Sequence, residues 1–163
     1  MSIAKALPPP TQGLSLVAII DTEALQMGTY LDADLIFKNQ SETTLQFTYF
    51  KPHMWLPEVT DISTGRRLQV QAEVYDGPAQ AVHVVLKPGE EYQERSWPLY
   101  FLAADEEKNE KDEEKKKNES FVVCQPRKYQ FQFALKLDSY KKNDWEGTLV
   151  SNQLQIEVVD RLP

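Results

Sequence analysis

Large apolar side chains alternate with polar ones along much of this chain. In the clearest run, residues 129–137, every odd position is large and apolar and three of the four even positions are polar. A period of two is typical of a β-strand with one buried and one solvated face. Similar alternation covers residues 31–37, 45–49, 68–74, 82–86 and 154–158. Residues 14–20 are apolar on both faces apart from Ser15, and no window has a helical period of comparable strength. The pattern predicts an all-β fold, an antiparallel two-sheet β-sandwich of about eight strands.

The glycines mark connections between these strands. All six lie outside the alternating runs, several of them in turn-forming strings such as Lys87-Pro88-Gly89-Glu90, where turns favour residues that tolerate positive φ. The phase of the alternation changes between Leu149 and Leu154, which predicts a bulge or break near Ser151 and Asn152. We expect one domain over residues 13–160, preceded by a proline-rich leader at 1–12 and followed by a tail at 161–163.

The net charge of −7 is concentrated in one segment. Residues 105–119 hold eight acidic side chains and five lysines with no apolar side chain, which leaves 17 acids and 13 bases elsewhere. Such a segment cannot bury enough apolar surface to offset the entropy of ordering it. This composition predicts a solvated, charged inserted loop at 104–120. The alternative is an acidic segment that binds a basic partner or a cation. The acidic balance and dispersed basic residues argue against nucleic-acid binding.

The rest of the composition narrows the class of protein. A single cysteine, Cys124, excludes an internal disulfide, and no apolar run approaches the roughly 20 residues that span a bilayer. The first residues include no apolar stretch long enough for an export signal. We therefore expect a cytoplasmic protein without membrane insertion, or an extracytoplasmic one if a leading segment has been removed.

One motif resembles a known family. The string Gln125-Pro126-Arg127-Lys128-Tyr129 opens the clearest strand, and residues 125–160 are similar to the last strands of immunoglobulin-like and fibronectin-like Greek-key sandwiches. In that family a proline-containing turn leads to a corner tyrosine whose hydroxyl bonds to upstream backbone, which here implies Pro126 and Tyr129. Arg127 stands where glycine is common, and no cysteine pair exists. The alternative is that Tyr129 is simply an aromatic residue of the core.

A weaker likeness concerns the order of elements along the chain. The order of these elements resembles bacterial intracellular proteinase-inhibitor domains of immunoglobulin-like fold: Gly28-Thr29-Tyr30, Asn39-Gln40-Ser41, a turn from Asp61 to Gly65, Lys87-Pro88-Gly89-Glu90, and then the corner tyrosine. The resemblance implies binding of another protein through loops or an edge strand.

Groups that carry catalysis are scarce. His53, His83 and Cys124 are far apart in sequence, and no zinc-binding, nucleophile-elbow or phosphate-loop motif occurs. Cys124 lies in an apolar run, which favours a buried structural thiol over a Cys-His pair. We expect no enzyme activity, no cofactor and no metal.

Residues 50–57 are the strongest candidate for a binding segment. Two prolines interrupt this apolar stretch, so it is a poor central strand. Met54, Trp55 and Leu56 could form an exposed anchor for a protein partner; the alternative, which we favour, buries Trp55 between the sheets. Trp97 and Trp145, with Tyr140, are candidates for stacking on a sugar ring.

Together these features predict a non-catalytic protein-binding module that acts through end loops or an edge strand. A carbohydrate-binding or adhesive module is one alternative, and a proteinase-inhibitor-like domain is another. The expected partner is another protein of unknown identity; the sequence leaves the oligomeric state open.

Overall fold

A computed structural model describes residues 11–73, 75–103 and 120–160. These residues form an all-β sandwich, and the described part of the chain holds sixteen strands and no helix. The strands are β1 (Leu14–Ile19), β2 (Ala24–Gln26), β3 (Tyr30–Leu31), β4 (Asp34–Asn39), β5 (Leu45–Lys51), β6 (Glu58–Asp61), β7 (Arg67–Leu68), β8 (Val70–Gln71), β9 (Gln80–Leu86), β10 (Glu91–Arg95), β11 (Leu99–Ala103), β12 (Phe121–Cys124), β13 (Lys128–Gln132), β14 (Ala134–Leu137), β15 (Gly147–Val150) and β16 (Leu154–Val159). The expected leader, charged loop and tail lie outside the described residues, except for Thr11, Gln12 and Ser120.

The strands are more numerous than the eight expected because several predicted runs divide where the chain changes partner. The run at 129–137 separates at Phe133 into β13, which pairs with β16 and β6, and β14, which pairs with β15. The run at 68–74 contains β8, which pairs with β12, and its first residue, Leu68, belongs to β7, which pairs with β6. The predicted break near Ser151 and Asn152 is confirmed, since both residues lie between β15 and β16.

Most strands pair antiparallel, as predicted, but two of the eleven pairs among the described residues are parallel. β2 pairs parallel with β16, and β11 pairs parallel with β12. A parallel pair needs a connection of about a dozen residues or more. Residues 104–120 provide that length between β11 and β12. The predicted antiparallel pairing is therefore wrong for these two strands.

The alternating apolar positions meet in one core. Its largest fully buried side chains include Phe37, Phe47, Phe101, Phe131 and Phe133. Phe37 of β4 packs on Phe47 of β5 with 5.0 Å between ring centroids, and Phe101 of β11 meets Phe131 of β13 edge to face at 5.9 Å. These contacts join strands that do not share a ladder, which is how the faces of a sandwich hold together.

The turn before β13 fixes Tyr129 in place. The Tyr129 hydroxyl donates to the Gln125 carbonyl at 3.0 Å and accepts from the Gln125 N–H at 2.9 Å, and the side chain is buried. Pro126 is exposed in this turn. Arg127 donates to the buried carboxylate of Asp61 at 2.9 Å, so it ties the turn to the end of β6.

β9 and β10 follow each other in the chain but belong to different sheets. β9 is an edge of the pair it forms with β5, and β10 is an edge of the sheet β1-β4-β10. The turn that joins them has Gly89 at φ 83°, where its N–H donates to the Asn39 carbonyl at 2.8 Å. This turn lies at one end of β9 and β10, and the cleft described below lies at the other end of both strands.

Candidate functional site

A cleft of about 590 Å³ opens where β5 and β10 end. Four parts of the chain form its walls: the end of β5 with the residues after it, the connection into β9, the end of β10 with the residues after it, and Asp32 between β3 and β4. The lining residues are Asp32, Lys51, Pro52, His53, Tyr75, Pro78, Gln80, Glu94, Arg95, Ser96, Trp97 and Pro98. Because the segments are far apart in sequence, the cleft exists only in the folded chain.

The loop after β5 shapes one wall. Pro52 follows a cis peptide bond and has no N–H for the ladder, so strand pairing ends at Lys51. The next turn places Met54 at φ 54°, the left-handed region that non-glycine residues rarely occupy. The Trp55 N–H donates to His53 Nδ1 at 3.1 Å, and the Trp55 carbonyl accepts from the Trp97 N–H at 2.9 Å. The loop is thereby fastened to the segment after β10.

The structure places Trp55 beneath the cleft. Its ring stacks on His53 with 4.3 Å between centroids and packs on Tyr49 at 4.8 Å and Phe37 at 5.6 Å. Met54, Trp55 and Leu56 are all half-buried, and Trp55 and Leu56 pack against the core. The segment considered as an exposed anchor therefore supports the wall of the cleft, and its neighbour His53 lines it.

His53 is held as a neutral ring. Nδ1 accepts the Trp55 N–H at 3.1 Å, which keeps that nitrogen unprotonated. Burial lowers the pKa of His53 below the ordinary value of 6.5, although the nearby Glu94 carboxylate opposes that shift. Because Nδ1 holds the Trp55 N–H, a role for this nitrogen as general base would require breaking a contact that holds the loop.

The His53 environment predicts a pH-dependent stability. A histidine whose folded pKa lies below its unfolded value stabilises the fold fully above about pH 6.5, and this contribution declines as pH falls toward the folded pKa. We expect the melting temperature of the wild type to fall between about pH 7 and pH 5.5, and His53→Gln to show a smaller fall over the same range. Thermal unfolding followed by circular dichroism measures both. An equal fall in the two proteins would contradict this assignment.

The charges of the cleft are matched in pairs. Glu94 Oε2 accepts from Lys51 Nζ at 2.9 Å and from the Tyr49 hydroxyl at 2.6 Å. Burial alone would raise the pKa of Glu94, but these hydrogen bonds outweigh it and hold the pKa below its usual value. Arg95 makes a two-point contact with Asp32, at 2.8 and 3.2 Å, and reaches Asp34 at 3.2 Å. The cations are thus already paired with carboxylates of the same chain.

Trp97 and Tyr75 form the apolar rim. Trp97 lies edge-on to His53 at 6.2 Å, and its indole N–H donates to Glu73 at 3.2 Å. Tyr75 is 46% exposed, and its hydroxyl donates to the Pro78 carbonyl at 2.7 Å. Both rings are positioned by hydrogen bonds at their polar ends, which leaves ring surface toward the cleft.

The three aromatics proposed for sugar stacking do not form one platform. Trp145 is only 6% exposed, and its backbone N–H donates to the Gln46 carbonyl at 2.7 Å, which holds the loop against β5. Tyr140 is exposed but meets Phe50 edge to face at 4.8 Å, whereas Trp97 belongs to the cleft. The expectation that Trp145 offers a ring face to a sugar is therefore wrong.

Cys124 and the two histidines are also separate. The Cys124 thiol is buried 3.3 Å from the Met27 sulfur, and burial raises its pKa to about 12. His83 lies on the surface of β9 with Nδ1 2.8 Å from the Thr48 hydroxyl. Within the described ranges, no group of three or more His, Cys, Asp or Glu side chains is arranged to hold a metal ion, and no helix could span a membrane.

Among known proteins, the chain has a weak likeness to a solved structure. No protein-family model matches the chain, and no curated protein matches it. Among solved structures, the crystal structure of red sea bream transglutaminase is similar with a TM-score of 0.45 and 11% identity, over 93% of this chain and 17% of that one. The chain thus spans a small part of that enzyme, and a likeness of this size carries no argument about activity.

Proposed function

We propose that this chain is a non-catalytic protein-binding module and that the cleft at the end of β5 and β10 receives an extended segment of its partner. The observation that carries the proposal is the cleft itself, where aromatic and proline side chains from three segments converge around ion pairs that are already satisfied.

The lining indicates the chemistry of the partner. Pro52, Pro78 and Pro98 are rigid apolar surfaces, and Trp97 and Tyr75 offer aromatic ones. Grooves of this composition suit extended, proline-containing segments, which lose little entropy on binding. An acidic or basic segment would compete with Asp32 for Arg95 or with Lys51 for Glu94, so we infer an uncharged segment.

The chemistry of the side chains supports a binding role over catalysis. His53 Nδ1 accepts the Trp55 N–H, Glu94 is held as a carboxylate by two donors, and the Cys124 thiol is buried elsewhere. These groups position one another and leave the rim of the cleft as the accessible surface.

We further infer that the sandwich is immunoglobulin-like. The two hydrogen bonds between the Tyr129 hydroxyl and the Gln125 backbone agree with a tyrosine corner. Pairing of β4 with both β1 and β10, and of β13 with both β16 and β6, agrees with two sheets of that arrangement. Such domains host many functions. The scaffold alone therefore does not identify the partner, whose chemistry is inferred from the lining of the cleft.

Selection from a displayed library of random peptides tests the binding role. We expect enriched sequences to be uncharged and rich in proline and aromatic residues. Trp97→Ala should weaken their binding about tenfold or more, because a single aromatic contact residue often dominates a protein–peptide contact. Isothermal titration measures the affinities.

Two further variants keep this test sharp. Tyr75→Ala removes an exposed rim residue and should also weaken binding without unfolding the protein. Tyr140→Ala removes an exposed aromatic outside the cleft and should have no effect. Peptides that bind all three variants as tightly as the wild type, or a selection that enriches nothing, would count against the proposal.

A further inference from the structure

β9 presents a free edge whose hydrogen-bonding groups can be identified. The Gln46 carbonyl of β5 accepts from the backbone N–H of Trp145 at 2.7 Å. The backbone groups of Gln46 therefore point away from β9. Gln46 lies opposite Val85 in the β5–β9 ladder. Because backbone groups alternate in direction along an antiparallel strand, the N–H and C=O groups of Ala81, His83 and Val85 point to the open edge. No backbone hydrogen bond within the described residues satisfies them.

Nothing in the sequence of β9 protects this edge. Its seven residues, Gln-Ala-Val-His-Val-Val-Leu, include no lysine, arginine, aspartate, glutamate, glycine or proline. The neighbouring edge strand β10 carries Glu91, Glu94 and Arg95, and on β1 the side chain of Asn152 binds both backbone groups of Ala18. Charges and capping side chains are the usual means of blocking strand addition, so β9 is the unguarded edge among these three.

The open edge is complementary to itself. If two copies of β9 run antiparallel about a two-fold axis at His83, Ala81 lies opposite Val85 of the other copy, and His83 lies opposite His83. All the outward backbone groups of both strands then face a partner, which gives six hydrogen bonds. A shift of two residues along the strand loses pairs.

The exposed side chains favour the same arrangement. Ala81 and Val85 lie on the outer face of β9, and Val85 is 52% exposed. In the two-fold register Ala81 of each copy lies directly opposite Val85 of the other copy, so the two apolar side chains are cross-strand neighbours. Phe50, which pairs with Ala81 and is also exposed, extends the apolar surface on β5. A strand without charges brings no like-charge repulsion to the axis.

We propose that a second copy of this chain pairs with β9 through its own β9, across a two-fold axis at His83. The contact extends the β5–β9 pair into a four-stranded sheet. It lies outside the peptide-binding role proposed above and does not depend on it. Seven residues from each copy make a small interface, so the dimer is expected to be reversible and dependent on concentration.

Cysteine cross-linking tests the register in the full chain. In the two-fold arrangement the Cα atoms of the two residues 83 are about 5.5 Å apart, within the range of a disulfide. Mild oxidation of His83→Cys should therefore give a covalent dimer at least about tenfold faster than oxidation of Val85→Cys, because the two residues 85 lie four residues apart along the ladder. Both variants carry Cys124→Ala, and non-reducing electrophoresis measures the rates.

Charge substitutions provide the matched control. Ala81→Lys with Val85→Glu places opposite charges face to face and should retain the dimer in sedimentation. Ala81→Glu with Val85→Glu places like charges there and should give a monomer. Thermal unfolding checks that both variants are folded. Wild type that stays monomeric at the highest attainable concentration, or His83→Cys that cross-links no faster than Val85→Cys, would overturn the proposal.

Discussion

Replacing Phe131 with alanine is expected to lower the free energy of unfolding by about 4 kcal/mol. Phe131 is fully buried on β13 and meets Phe101 of β11 edge to face at 5.9 Å. The substitution removes a large apolar side chain and leaves a cavity between strands of different sheets, which backbone hydrogen bonds hold too firmly to collapse. Urea denaturation followed by tryptophan fluorescence or circular dichroism measures the change.

Phe50→Ala is the matched control for Phe131→Ala. Phe50 is a partly exposed phenylalanine on β5, so the same chemical change there should cost less than about 1 kcal/mol. A loss for Phe131→Ala no larger than that for Phe50→Ala would mean that the described core does not hold the two sheets together.

Replacing Asn152 with alanine is expected to cost about 3 kcal/mol. The Asn152 side chain accepts the Ala18 N–H at 2.8 Å and donates to the Ala18 carbonyl at 3.0 Å, and both residues are buried. Alanine leaves both backbone groups without a partner in the dry interior, and each unsatisfied group costs about 1–3 kcal/mol. The same denaturation experiment measures the loss.

The next residue provides the comparison for Asn152. Gln153 is exposed, and Gln153→Ala should change the free energy of unfolding by less than about 0.5 kcal/mol. Equal stability of the two variants would show that the break between β15 and β16 does not depend on the Asn152 contacts with β1.

The sequence predicts the strands best where one face meets the core. Residues 129–137 and 154–158 alternate cleanly. The odd positions of the first run and the even positions of the second are buried, as expected. The position of the break at Ser151 and Asn152 is also readable, because a change of phase along a strand requires an extra residue. Alternation does not indicate which strand is the neighbour, so the division of residues 129–137 at Phe133 and the parallel pair β11–β12 are not predictable from it.

The cleft is much harder to predict. Arg95 and Asp32 are 63 residues apart, and Trp97 reaches Trp55 through backbone, so no local pattern connects them. Pro52 and Pro57 interrupt the alternation of apolar and polar residues that separates buried from exposed positions. The exposure of Trp55 is therefore not predictable from the sequence. The string Ser96-Trp97-Pro98 after a charged strand was the available signal for the rim.

The proposed binding role is tested most directly by mapping where a selected peptide binds. Amide chemical shifts of the isotope-labelled protein, followed by NMR during titration with an enriched peptide, report the contact residue by residue. We predict that the largest changes fall at Lys51, His53, Arg95 and Trp97, and that they saturate. Saturable changes centred on β9 or on the Phe50–Tyr140 face, with the cleft residues unperturbed, would contradict it.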